Sequence, residues 1–215
     1  MEKALDFFQL ACMAFFLVVF VGRTLHLRFG EGINPIKLGV GKTGLRRIVE
    51  LSFVLVLLVW IVEVLVCATR ADFRIFPSSM ESPLIAATSV RLAGAGMIAL
   101  AFIIFIWALV SFKDSWRIGI DKETQGRLVT TGIFSVSRNP IFLFIDLYFV
   151  GTFLINGTIV FLIFAAVVVA GIHYQILEEE RYLRSAYGTA YAAYNARTRR
   201  YLGRGVRQRF RSSKA

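Results

Sequence analysis

Three consecutive carboxylates, Glu178, Glu179 and Glu180, stand at one end of a long apolar run, and Arg138-Asn139-Pro140 stands at the other. Carboxylates in such a place can hold a cationic ligand or take a proton from an acceptor group. A guanidinium beside them can orient an anion. The segment leading to Pro140 is punctuated by Gly119, Gly126 and Gly132, which let backbone groups approach a ligand where a side chain would obstruct. Read plainly, Pro140 fits the first position of a helix whose N-cap is Asn139. After the run, Leu177, Glu180 and Leu183 or Arg184 share one helical face, and Tyr187, Tyr191 and Tyr194 continue an aromatic stripe. Gly188 marks a break or a close packing point. The simpler use of this second pattern is an interfacial amphipathic helix with solvated charges. The functional use turns at least one glutamate inward.

The elements that must position these residues are membrane helices. The 215-residue chain is 57% hydrophobic and 18% charged, against roughly 45–50% and about 25% for soluble domains. Mean hydropathy is +0.66. These values exclude a disordered chain and a disulfide-rich secreted domain. A crossing needs about 20 mainly apolar residues. Ala4–Val21, Ile48–Thr69 and Leu92–Phe112 meet this, and the run Ile141–Leu177 is 37 residues long with Asn156-Gly157 near its middle. Asn-Gly is a turn signal, so that run predicts a helical hairpin with a short turn. The fold class expected is therefore an all-α integral membrane protein with about five spans. A hairpin also forces its two open ends together, which brings Arg138-Asn139-Pro140 beside the three glutamates.

The division expected is a three-span membrane region over 1–112, a functional core over 113–202 and a basic tail over 203–215. Of the 25 Lys and Arg residues, 21 fall in 23–47, 113–140 and the stretch after Leu177, while Lys3, Arg70, Arg74 and Arg91 lie on the other side. This asymmetry predicts the N-terminus outside, with the C-terminus and both polar segments cytoplasmic. The net charge of +11 is then explained by the inner leaflet rather than by nucleic acid. Cys12 and Cys67 lie in apolar runs, and neither they nor His26 and His173 have metal-ligand spacing, so no metal is expected. His173 reads as a packed interior residue, and Glu63 as a side chain that snorkels to the membrane surface.

Taken together, Gly132-x-Phe134-x3-Arg138-Asn139-Pro140-x-Phe142 and, about 36 residues on, Glu179-Glu180-x2-Leu183-x4-Gly188-x2-Tyr191-x2-Tyr194 resemble the isoprenylcysteine carboxyl methyltransferase family and the related phospholipid methyltransferases. The resemblance implies an integral-membrane enzyme that uses S-adenosylmethionine, enclosed by the loop before the hairpin and the helix after it. Carried onto this chain, it places the cofactor against Gly126, Arg127, Leu128 and Val129, then Phe134, then Asn139, Pro140, Ile141 and Phe142, with Glu179 for the cofactor's ammonium. The family usually has Tyr at positions 134 and 142 and often His at 139. Prenylcysteine enzymes carry Arg one turn before the first Glu of the pair, where this chain has Gln175; Arg138, Arg197 and Arg200 are the candidates to replace it.

The expected reaction is methyl transfer to a lipophilic small-molecule or lipidated acceptor entering from the bilayer. Carboxyl O-methylation is the leading expectation and N-methylation of a phospholipid amine the alternative. An ionised carboxylate needs alignment and water exclusion but no base. An amine must lose a proton, which Glu180 or Glu178 could take. Arg138, Glu180 and Arg200 are thus the catalytic candidates, and Gln175, Trp116 and Asp146 face the acceptor, Asp146 either in the pocket or paired with Arg138. A non-enzymatic scaffold or small transporter would instead spread polar residues over several spans.

Overall fold

The structure is a computed structural model that describes residues 2–30, 45–112, 128–203 and 205. Six α-helices follow in order: α1 (Glu2–Leu25), extended by a π turn over His26–Gly30; α2 (Leu45–Thr69); the short α3 (Ser78–Glu81); α4 (Thr88–Phe112); α5 (Pro140–Asn156); and α6 (Ile159–Arg197). A 3-10 turn over Gly132–Ser135 precedes α5. No strand occurs among the described residues. Four helices, α1, α2, α4 and α6, are long and apolar enough to cross a membrane.

The fifth span, α5, has 17 residues, about 25 Å at 1.5 Å per residue, short of a hydrocarbon core of about 30 Å. It is tolerated because protein surrounds it. Phe105 of α4 stacks on Phe144 at 4.5 Å, Trp60 of α2 lies 4.6 Å from Phe149, and Phe16 of α1 lies 5.6 Å from Phe144. The chain just before α5 is itself packed inside, with Ile133, Phe134, Ser137 and Asn139 all buried. Such aromatic pairs each add about 0.5–1.5 kcal/mol beyond the area they cover.

The predicted hairpin is present. α5 ends at Asn156, Gly157 takes φ 68° as its left-handed C-cap, and α6 starts at Ile159. A residue with a Cβ is strained at that φ, which is why the turn needs glycine. The Gly157 carbonyl accepts from the backbone N–H groups of Leu84 (2.6 Å) and Ile85 (3.1 Å), tying the turn to the loop before α4.

At 39 residues α6 is about 58 Å long, so its apolar part through Leu177 spans and the rest emerges. Gly188, at φ 50° and ψ −120°, breaks it as expected and redirects the last turns. The chain after Arg197 then returns to the loop before α5. Arg138 N–H donates to the Arg199 carbonyl (3.1 Å), and Gly203 N–H to that of Val136 (2.9 Å).

Two expectations fail here. Glu63 does not snorkel: it is 1% exposed, faces into the bundle, and accepts a hydrogen bond from Cys67 Sγ one turn on (3.6 Å). His173 is half-buried rather than enclosed, with the returning chain's Tyr201 packed against its ring.

Candidate functional site

Glu180 is the centre of the polar end, where α5 begins and α6 emerges. Arg200 meets it with both prongs, Nε to Oε1 at 3.1 Å and Nη2 to Oε2 at 2.9 Å, and Arg138 Nη2 reaches Oε1 at 3.0 Å. The side chains of Glu180 and Arg138 are 3% and 8% exposed, that of Arg200 32%. Burial alone would raise the Glu180 pKa. The Arg200 hydrogen bonds and the charges of Arg138 and Arg200 outweigh it and hold the carboxyl below its ordinary value. Three chain segments thus close on one carboxylate: the loop before α5, α6, and the residues beyond α6.

Neighbouring groups reinforce the closure. Arg138 Nη1 also donates to Asn195 Oδ1, the Tyr194 hydroxyl donates to the Phe134 carbonyl (2.8 Å), and the Thr198 hydroxyl to that of Ser135 (3.4 Å). Asn139 occupies the N-cap position of α5 with Pro140 after it, but its side chain makes no capping bond. Its Nδ2 is turned to the Arg200 carbonyl at 3.1 Å and to Glu180 Oε1 at 3.4 Å. Placement at the cap follows from the sequence; the diversion follows from the clasp.

The other two glutamates behave differently. Glu178 pairs with Arg181, one turn along. Glu179 is half-buried, and among the described residues no hydrogen bond or ion pair reaches its carboxylate. Burial, and then the charge of Glu180 beside it, push its pKa up to about 7. Gln175 is half-buried one turn before it on α6.

Of the remaining expected cofactor positions, Leu128, Val129, Ile141 and Phe142 are half-buried and packed against the core, while Phe134 and Pro140 are buried. Gly126, Arg127 and Trp116 lie outside the described residues. Asp146 does not pair with Arg138, which is engaged on Glu180; its Oδ1 is buried with no hydrogen-bond partner. One pair was not anticipated. His173 Nδ1 and the Tyr201 hydroxyl lie 2.7 Å apart with stacked rings. Its one sequence signal is a histidine in the last turns of a span that leads straight into the charged segment.

The phospholipid methyltransferase family model matches residues 90–190, from the start of α4 to just past the Gly188 break. Over that stretch, just under half of the chain, the sequence is similar to the phospholipid methyltransferase family. No curated protein and no solved structure matches it significantly. The methyltransferase match contains Arg138, Asn139, Asp146, His173 and the three glutamates, whereas Arg200 and Tyr201 lie beyond it. With four spanning-length apolar helices, the chain is an integral-membrane methyltransferase in a lipid environment.

Proposed function

We propose that this methyltransferase uses S-adenosylmethionine to methylate the amine of a lipophilic acceptor, a phospholipid amine in the first instance, at the cytoplasmic membrane face. The observation that carries this reading is the division of charge at the polar end. Of the three arginines that could receive an acceptor carboxylate, Arg138 and Arg200 are engaged on Glu180 and Arg197 is exposed, its Nε donating to the Ala193 carbonyl. Glu179 and the Oδ1 of Asp146, by contrast, have no partner among the described residues. Gln175 adds no cation, and an amide does not replace a guanidinium opposite a carboxylate. A site whose partnerless groups are carboxyls, able to ionise against a cation, suits a cationic donor and an amine acceptor. An isoprenylcysteine carboxylate would meet like charge there.

The chain's own groups fit that donor. Glu179, half-buried and unpaired, suits its ammonium. Leu128, Val129, Ile141 and Phe142 offer apolar and aromatic surface at the same end, the phenyl ring suited to a sulfonium. The donor supplies a methyl group already activated on a positively charged sulfur. The clasp on Glu180 fixes the loop before α5 against α6 and so holds these groups in register, where most of the rate gain for such a displacement originates. Gly126 and Arg127, which directly precede Leu128 in the sequence, are further proposed donor contacts, and Trp116 is the proposed acceptor entrance; the N-terminus lies outside.

The test is incubation of the protein in lipid nanodiscs with methyl-labelled S-adenosylmethionine, a phosphatidylethanolamine and a prenylcysteine, followed by mass spectrometry. Label in the phospholipid amine is expected. Label in the prenylcysteine carboxylate alone would overturn the acceptor assignment, and label in neither would overturn the reading.

A further inference from the structure

We propose that Tyr201 and His173 form a proton relay that deprotonates the acceptor amine, with Asp146 holding its ammonium beside them, an inference that rests on the amine reading above. A protonated amine has no lone pair with which to attack, so an N-methyltransferase needs a proton acceptor near its acceptor nitrogen. Glu178 is paired with Arg181 and Glu180 is held by two guanidiniums, so neither carboxylate is free for that task. Glu179 is committed to the donor. Among the described residues, the groups at this end that remain include Asp146 on α5, His173 on α6, and Tyr201 on the chain returning after α6, while Tyr191 stays with Arg138 and Glu180.

Their arrangement suits the task. The Tyr201 hydroxyl lies 2.7 Å from His173 Nδ1, and with the ring proton on Nε2 that hydroxyl donates to Nδ1. Tyr201 stands within the field of Asp146 on α5, of Glu180 on α6 and of its neighbour Arg200. Burial, and then the Asp146 carboxylate, keep its hydroxyl above the ordinary tyrosine value, so it stays protonated and able to donate. Asp146 Oδ1, buried and without a partner, is the kind of atom a bound ammonium would satisfy.

In the step itself, the acceptor ammonium gives one proton to Tyr201 Oη as the hydroxyl proton passes to His173 Nδ1, leaving a neutral amine and an imidazolium. The amine nitrogen then bonds the methyl carbon as the carbon–sulfur bond breaks, its electron pair remaining on sulfur. The product is the methylated ammonium, and the imidazolium returns its proton to water at the membrane face.

The test has two arms on the full chain in nanodiscs. In the first, kcat against pH is measured with dihexanoyl phosphatidylethanolamine for wild type, Tyr201→Phe and Asp146→Asn. Tyr201→Phe should lower kcat about 100-fold near neutrality, leave the KM for the donor unchanged, and recover toward wild type as alkali supplies free amine. Asp146→Asn should raise the KM for the acceptor instead. A loss that is uniform across pH, or no loss, overturns the relay while wild-type turnover keeps the methyltransferase reading intact; absence of wild-type turnover removes both. In the second arm, ¹⁵N-histidine labelling reports His26 and His173, the two histidines of the chain, with His26→Gln to assign them. Dihexanoyl phosphatidylethanolamine should shift His173 toward the protonated form in wild type but not in Tyr201→Phe, and dihexanoyl phosphatidylcholine, which has no N–H, should not. An equal response to both lipids, or none to either, overturns the relay.

Discussion

The two ends of the bundle use similar residues in opposite ways. At the end where α1 begins, Arg70 reaches Glu2 at 3.4 Å and Asp6 at 3.3 Å, and Arg91 reaches Glu2 at 3.1 Å. These pairs tie helix ends together in the open, Arg70 being 54% and Glu2 60% exposed. At the other end a single buried carboxylate takes two guanidiniums, and among the described residues the adjacent Glu179 is left without a partner. The first arrangement trims the ends of the helices. The second fixes three segments in one geometry and leaves charge available for a ligand.

The largest effect expected from breaking this contrast is at the clasp. Glu180→Gln leaves two guanidiniums, one of them buried, without their anion, and Arg138→Ala leaves a buried carboxylate half-neutralised. Each should cost about 3–5 kcal/mol, read as a fall in unfolding midpoint in detergent. Glu179→Gln, one residue away, should instead not lower the unfolding midpoint but raise it toward neutral pH, where the native carboxyl ionises. It should weaken donor binding by about 1.5–3 kcal/mol in calorimetry. Equal destabilisation by both changes would mean that Glu179 is also a structural group.

Titration sharpens the same comparison, because the two neighbours have opposite signs. The Glu180 pKa is lowered on folding, so its contribution is present above the ordinary value of 4.5 and is lost as pH falls through the folded value. Glu179 is raised from 4.5 to about 7, so its contribution to stability is present below 4.5 and is lost as pH rises toward 7. Donor binding should run the other way and strengthen as Glu179 ionises through about pH 7. Glu179→Gln should flatten that binding profile, and calorimetry across the pH range checks it.

Gln175→Arg tests the charge division from the acceptor side. An arginine one turn before Glu179 should lower turnover of an amine acceptor and raise that of a carboxylate one. A variant that matches wild type on both would place Gln175 outside the acceptor pocket. The smallest effect belongs to the opposite end, where Arg70→Ala should shift stability by less than about 1 kcal/mol, as exposed pairs do.

Much of this architecture is legible in the chain itself. Asn156-Gly157 within an apolar run marks the hairpin, and the hairpin brings Arg138 toward the glutamates. Gly188 marks the break in α6. What is not legible is which glutamate turns inward. Consecutive helix positions point about 100° apart, so the three face different neighbours: Glu180 is buried in the clasp, Glu178 is buried and paired with Arg181, and Glu179 is half-buried. The choice depends on where the chain returns after Gly188, and that is a tertiary matter. The same return brings Arg200 to Glu180 and Tyr201 to His173, and it draws the Asn139 side chain away from the cap it would otherwise make. Glu63 departs from the snorkelling expectation for a related reason: a carboxylate near a helix end snorkels only if its face of the helix looks outward, and this one looks in.

Calorimetric titration of the nanodisc-embedded protein with S-adenosylhomocysteine, the demethylated donor, tests the central claim most directly, because it needs no knowledge of the acceptor. The account predicts saturable binding to wild type that is weakened by Glu179→Gln in protein that remains folded. Absence of binding to folded wild type, or binding indifferent to Glu179→Gln, would contradict it.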